Sequence, residues 1–248
     1  MKVDILGVKI DAVTRAEARQ RAVDFLAGSR GFRVFTPNPE MLVLASRDAD
    51  FKKILNTADL AIPDGIGLLL AARYGGRSLP ERVTGTDLMQ DLCAAAASRG
   101  WKIFLLGGEN GEAAAAAAAL KERHPDIKIV GHDEGGRAFT DASGRVRLQA
   151  AVLDKIKAAA PEILFVALGH GRQEKWIADN LAELSSVRVA MGIGGAFNFI
   201  AGRSLRAPRF FRQSGLEWLW RLAAEPWRWR RIWTAVVVFP YLVLKSER

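Results

Sequence analysis

The chain has 248 residues, half of them apolar, and a formal net charge of +9, which is enough apolar material for a full core and too much for a disordered chain. The single cysteine, Cys93, excludes an internal disulfide framework, and together with the three histidines it offers no zinc-ligand spacing. Met1 to Val13 alternates like a strand and has neither the apolar run nor the small-residue cleavage site of a secretory leader, so the expected compartment is the cytoplasm.

Charge is unevenly placed. From Arg203 onward the chain holds nine arginines and one lysine against three glutamates, a surplus of +7, together with five of the seven tryptophans. The expected organisation is therefore a nearly neutral α/β body, residues 1–202, followed by a basic, aromatic appendage, residues 203–248.

Asp4 to Ile10 and Gly31 to Thr36 read as the first two strands, with a helix from Arg15 to Ala27 between them. The prolines of Thr36-Pro37-Asn38-Pro39-Glu40 end the second strand, Asn38 is placed to cap the next helix and Pro39 suits its first turn. Leu42, Ala45, Phe51, Ile54 and Leu55 fall at helical spacing and predict one helix from Glu40 to Asn56. Within it, Asp48-Ala49-Asp50 has the form of a metal-binding D-x-D pair. Positions two apart face different sides of a helix, so the pair reads as solvated surface. Next comes Ala58 to Gly67, a short apolar strand closed by Pro63-Asp64-Gly65. A carboxylate at the C-terminal end of a buried strand lies where parallel α/β sheets place their ligand crevice, which makes Asp64 the first candidate working residue.

After a linker of small and basic residues (74–80), Thr84 or Thr86 is expected to cap the following helix. Lys102 to Leu106 predicts a strand, Gly107 to Gly111 a glycine loop, and Glu112 to Arg123 a helix whose first turn could hold a phosphate through backbone N–H groups. The loop lacks the third glycine of the dinucleotide fingerprint, and no Walker-type phosphate loop occurs, which argues against NAD and ATP. Ile127 to Gly131 predicts a strand and Gly135 to Ser143 a loop. The wholly apolar Ile163 to Leu168 reads as a strand covered on both faces. It runs into Gly169-His170-Gly171-Arg172-Gln173-Glu174 and a helix carrying Trp176. Val187 to Met191 is the last strand and closes in Gly192 to Asn198. This alternation predicts a Rossmann-like, doubly wound, mostly parallel sheet with a C-terminal helical appendage. Thr36 and Asn38, Asp64, Gly107 and Gly108, Gln173 and Glu174, and Gly194 to Asn198 would then share one sheet edge. No nucleophile elbow supports a hydrolase.

In the tail, Ser214 to Arg231 predicts a helix with Leu216, Leu219, Trp220, Ala223 and Trp227 near one face and Arg221, Arg228 and Arg231 close to another. The 13-residue apolar run from Ile232 to Leu244, broken by Pro240, is shorter than the roughly 20 residues that span a bilayer. Tryptophan and arginine beside such a run suit an interfacial anchor on an anionic membrane surface. Packing on the body or a homo-oligomer contact would use the same pattern. Nucleic acid is not an expected partner, because it leaves the apolar run unexplained.

Read together, Thr36-Pro37-Asn38, Asp64-Gly65-Ile66-Gly67, Arg82-Val83-Thr84-Gly85-Thr86-Asp87, Gln173-Glu174 and Gly194-Gly195-Ala196-Phe197 resemble the WecG/TagA/CpsF glycosyltransferase family. So does the tail pattern of Arg206-Ala207-Pro208, Leu216-Glu217-Trp218, Arg221-Leu222, Glu225-Pro226, Arg228 and Arg231. The resemblance spans nearly the whole chain. It implies transfer of a sugar (an N-acetylhexosamine, hexose or uronic acid) from a UDP-sugar to a polyprenyl-diphosphate-linked sugar. Such chemistry serves bacterial surface polysaccharide or cell-wall polymer synthesis, at the cytoplasmic face of the membrane. It implies Asp64 as general base and Thr36 as a catalytic-pocket residue. Asn38, Arg82, Thr84, Gln173 and the Gly194-Gly195 turn would shape the donor site, and Arg221, Arg228 and Arg231 would face the diphosphates or lipid head groups. Gly107, Gly108 and Glu174 complete the expected substrate-binding set. One departure is that the proline usual before the Gln-Glu pair is absent, which leaves the donor sugar open.

The chemistry asks for the same groups. Inverting transfer needs a base for the acceptor hydroxyl, and desolvation raises a carboxylate toward that task. The leaving diphosphate needs positive charge, expected here from backbone N–H groups and tail arginines, with no metal and no cofactor beyond the donor substrate. A non-catalytic nucleotide-binding protein docked through its tail is the alternative from another class.

Overall fold

The computed structural model describes residues 1–136, 138–142, 144–204, 207–208, 210–211 and 216–246. Arg206 of the tail pattern, Ser143 of the expected loop and Ser214 at the expected start of the tail helix lie outside the described residues. The chain opens with a hairpin of β1 (Lys2–Ile5) and β2 (Val8–Asp11) where one strand is expected. The break falls at Leu6 and Gly7, whose φ values of 54° and 81° form the two-residue turn that suits the strand twist. Helix α1 (Arg15–Leu26) follows, held at its start by a Thr14–Glu17 capping box.

After β3 (Phe32–Phe35) comes α2 (Pro39–Arg47), capped by Asn38 Oδ1, which accepts from Met41 N at 3.0 Å. The single helix expected over Glu40–Asn56 is two. Asp48 leaves helical geometry, and its side chain accepts from Phe51 N at 2.8 Å to start α3 (Ala49–Leu55). Asp48 also pairs with Lys175 at 2.9 Å, so it is a cap and a tie to the body where a solvated helix face is expected. Then come β4 (Leu60–Ala61), α4 (Ile66–Tyr74), α5 (Gly85–Arg99), β5 (Lys102–Gly107), α6 (Glu112–Arg123) and β6 (Lys128–Asp133). The expected loop after Gly135 contains half of a small hairpin, β7 (Phe139–Thr140) with β8 (Val146–Arg147). The body ends with α7 (Ala151–Ala159), β9 (Ile163–Ala167), α8 (Arg172–Asn180), β10 (Val189–Gly192) and α9 (Ala196–Ile200).

Six strands form one parallel sheet in the order β4-β3-β10-β9-β5-β6. Met191 of β10 sits in register between Val34 and Phe165. Because side chains alternate across a strand, Phe35, Leu164, Val166 and Ala190 join a core with α2, α3 and α8. Val34, Phe165, Val189 and Met191 join a second core with α1, α5, α6 and α9. Helices thus cover both faces, as the doubly wound reading requires. Adjacency of β3, β10, β9 and β5 brings the loops after four strands to one edge.

The tail forms α10 (Glu217–Ala224), a 3₁₀ turn (Pro226–Arg228), α11 (Trp229–Trp233), a π-helical turn (Thr234–Val238) and α12 (Phe239–Ser246). Pro240 does not break the apolar run. It lies in the first turn of α12, directly after a wide turn whose longer hydrogen-bond step tolerates a missing N–H. Phe239 and Val243 are buried, and α12 packs on α2 and α4. The helix-on-body arrangement, one of the alternatives for the tail, therefore holds for the inner face of α12. Among the described residues, no helix is long and apolar enough to cross a membrane.

Candidate active site

A crevice of about 690 Å³ opens at the C-terminal edge of the sheet, and its walls include Thr36, Asn38, Asp64, Gly108, Gln173, Gly194, Gly195, Arg221, Arg228 and Arg231. Asp64 is fixed by its own backbone: its N–H donates to Pro37 O at 3.0 Å, while Val83 N donates to Pro63 O at 3.0 Å. The strand end is thereby tied to the loops before α2 and before α5. Gly65, with φ of 134°, turns the chain into α4. Asp64 Oδ2 accepts from Gly85 N at 3.1 Å. Thr36 also stands beside Gly85, so close that a methyl group on Gly85 would come within 3.0 Å of Thr36 Cγ2. One glycine therefore adjoins both the carboxylate and the threonine. Thr36 Oγ1 donates to Gly192 O at 3.3 Å, at the end of β10.

Desolvation deep in the crevice pushes the Asp64 pKa up to about 6. The Gly85 N–H, Arg221 and Arg82 favour the charged form, and the nearby Glu217 carboxylate opposes it. Gln173 lines the same crevice. Its Oε1 accepts from Gly194 N at 3.0 Å and its Nε2 donates to Glu174 Oε1 at 2.7 Å. Glu174 is fully buried behind it and also accepts from Gly171 N at 2.7 Å. Burial pushes the Glu174 pKa up to about 7, against its hydrogen bonds.

The other expected site residues divide by position. Asn38 is on the wall while serving as the α2 cap. Thr84 is engaged with Asp87 as the α5 cap, and Thr86, two residues on, lines the crevice. Gly107 packs on the Ala167 carbonyl with no room for a side chain. Gly108 N donates to Ala167 O at 2.9 Å.

At the start of α6, where a phosphate is expected, Arg203 Nη1 donates to Asn110 O at 2.7 Å. Gly111 N already donates to Glu134, and Glu109, Glu112 and Glu134 line the crevice. Glu134 escaped sequence reading because it follows β6 and reaches the site only through the pairing of β6 with β5.

A cluster of arginines lines the same crevice near Asp64. Arg82 and Arg221 both donate to the Glu217 carboxylate, at 3.0 and 2.9 Å, and Arg221 lies 5.2 Å from the centre of the Phe199 ring. Burial pushes the Glu217 carboxyl up, but Arg221 and Arg82 outweigh it and hold the group below its ordinary range. Arg228 pairs with Glu225. Arg231 Nε donates to Glu40 Oε2 at 2.7 Å, and its Nη2 lies 3.2 Å from His170 Nδ1. Burial and then the Arg231 charge lower the His170 pKa, so the ring is neutral and accepts from Arg231. Helical spacing pointed to the arginines but not to Glu217, Glu40 or His170, their partners. The crevice thus carries an arginine cluster beside Asp64, and carboxylates after β5 and β6.

Residues 3–248 match the Glycosyl transferase WecG/TagA/CpsF family. The chain is 32% identical over 218 residues to the N-acetylglucosaminyldiphosphoundecaprenol N-acetyl-beta-D-mannosaminyltransferase of Bacillus subtilis, covering 88% of this chain and 81% of the relative. To the protein of the same name from Bacillus spizizenii it is 34% identical over 224 residues, 90% and 83% of the two chains. To that from Staphylococcus aureus it is 31% identical over 251 residues, 100% and 94%.

Proposed function

The chain belongs to the WecG/TagA/CpsF glycosyltransferase family, and on that premise we propose that this glycosyltransferase inverts the anomeric carbon as it moves a sugar from a UDP donor to a polyprenyl-diphosphate-linked sugar. The observation that carries the reading is Asp64, a desolvated carboxylate on the wall of a crevice that Arg221, Arg228 and Arg231 also line. Asp64 takes the proton of the acceptor hydroxyl, whose oxygen bonds to the anomeric carbon as the bond to the diphosphate breaks on the opposite side. UDP leaves with the electron pair, and the arginines meet its charge. Thr36, beside Gly85 as Asp64 is, orients the sugar by its hydroxyl.

The carboxylates after β5 and β6 suit the hydroxyl-rich part of the donor and disfavour a uronic acid. The names of the relatives make an N-acetylmannosamine donor and an N-acetylglucosaminyl-diphosphoundecaprenol acceptor the first pair to try. The arginines provide the charge that a metal would otherwise supply, so turnover is expected to survive chelation by EDTA. The exposed tryptophans and arginines of the tail support a peripheral site of action on the cytoplasmic membrane face. The test is a screen of UDP-sugars against a short-chain lipid-diphosphate-linked N-acetylglucosamine, with product linkage read out. Asp64→Asn should lose turnover and keep UDP binding; wild-type turnover in that variant would overturn the assignment of the base.

A further inference from the structure

The tail helices carry apolar side chains on two opposite faces. The inner stripe, Phe239 and Val243, is buried against the body. The outer stripe, Trp233, Val237, Tyr241 and Leu244, repeats at helical spacing and stays exposed, Tyr241 to 62%. A helix that is apolar all round is ordinarily covered all round.

This exposure continues onto the body. On α4, Leu70 is 60% and Tyr74 56% exposed. Gly67, Leu70 and Tyr74, spaced three and four apart, share one helix face, and Gly67 lies against the Phe239 ring of α12. The two helices therefore pack side by side, and each exposes apolar side chains. Arg73 of α4, Arg230 of α11 and Lys245 of α12 are exposed as well. At the far end of α12 a separate cavity of about 670 Å³ is lined by Lys52, Arg77 and Lys245 against Asp4, with Leu242 on its wall.

We propose that α4 is part of the membrane-contact surface: Leu70 and Tyr74 enter the boundary between headgroups and acyl chains of an anionic bilayer beside the outer stripe of the tail, and the Lys52, Arg77 and Lys245 cavity receives a phospholipid phosphate. This rests on the peripheral-membrane reading above. Charge complementarity selects the occupant. Aromatic side chains beside apolar ones suit the interface, and the exposed basic residues match anionic lipid. A patch of this kind on a soluble face otherwise marks a protein contact.

The test is co-sedimentation of the full chain with phosphatidylcholine vesicles, with and without phosphatidylglycerol. Leu70→Ser/Tyr74→Ser is expected to lower partitioning about tenfold, as loss of two partly inserted side chains should. The circular dichroism spectrum and turnover on a soluble acceptor should not change. Lys52→Gln/Lys245→Gln should lose part of the preference for phosphatidylglycerol. If the wild type binds and the α4 variant binds equally well, the proposal fails and the peripheral reading stands. If the wild type sediments with neither vesicle, both fail. If the wild type is a dimer that the α4 variant dissolves with vesicle binding unchanged, the surface is a contact between copies and the proposal is overturned.

Discussion

Glu217 of the tail accepts from Arg82 of the body at 3.0 Å, a contact across 135 residues of chain, and the same carboxylate accepts from Arg221 at 2.9 Å. It thereby holds two cations in place and adds negative charge near Asp64. Glu217→Gln removes that charge. Because Glu217 raises the Asp64 pKa, the acid limb of the kcat/KM profile should move to lower pH. The loosened arginines should raise KM for the donor about tenfold, the effect of losing one charge-assisted hydrogen bond. A merely structural loss would lower kcat at all pH values and leave the limb in place.

The acid limb of the wild type is itself predictable. A base works only when deprotonated, and Asp64 titrates at about 6. Turnover should fall as pH drops through that value, and steady-state rates from pH 5 to 8 read it directly. Asp64→Asn should cost about a hundredfold to ten-thousandfold in kcat, with UDP affinity by calorimetry nearly unchanged.

Gly85 stands beside both Asp64 and Thr36. Gly85→Ala would place a methyl group within 3.0 Å of Thr36 Cγ2. Alanine suits the first turn of a helix, so the cost should come from crowding and stay near 1 kcal/mol in urea unfolding. The larger effect should fall on kcat, by about tenfold, as Thr36 is pushed out of place.

Glu174 links the site to stability. Its folded pKa of about 7 lies above the ordinary 4.5, so the folded protein holds this proton over a range where the unfolded chain has released it. The stabilisation is complete below about pH 4.5 and is lost as pH rises through about 7; its full size is of order 3 kcal/mol. Asp64 adds a contribution of the same sign between 3.8 and about 6. Glu174→Gln should flatten the stability profile between pH 5 and 8, measured by urea denaturation. It should also loosen Gln173, whose Nε2 now donates to Glu174.

Exchange of arginine partners is testable at the rim. Arg231 is held by Glu40 and His170, and Arg231→Ala should weaken substrate binding about tenfold. Glu40→Gln, which leaves the arginine but frees it, should cost less, and direct binding titrations distinguish the two.

Much of this protein was legible in its residues. Helical and alternating periodicity separated strands from helices, the Pro-Asp-Gly stop placed Asp64 at a strand end, and Asn38 and the Thr84/Thr86 pair announced their caps, with Thr84 chosen by the structure, because all of these depend on neighbours within one turn of chain. The alternation of strand and helix implied a parallel sheet, and a parallel sheet puts its strand ends on one edge. Local order was misread where a short-range contact outweighed the average pattern: Leu6-Gly7 made a hairpin of one strand, and Asp48 split one helix into two. Tertiary structure decided the rest. Strand order placed β6 beside β5 and brought Glu134 into the crevice. The fold of the tail over the sheet edge set Glu217 on Arg82 and Arg231 on Glu40. Packing of α12 beside α4 made neighbours of two helices that each expose apolar side chains. A one-dimensional pattern records which face of an element is apolar. Which other element meets that face depends on the sheet order and on the buried surface of the whole chain.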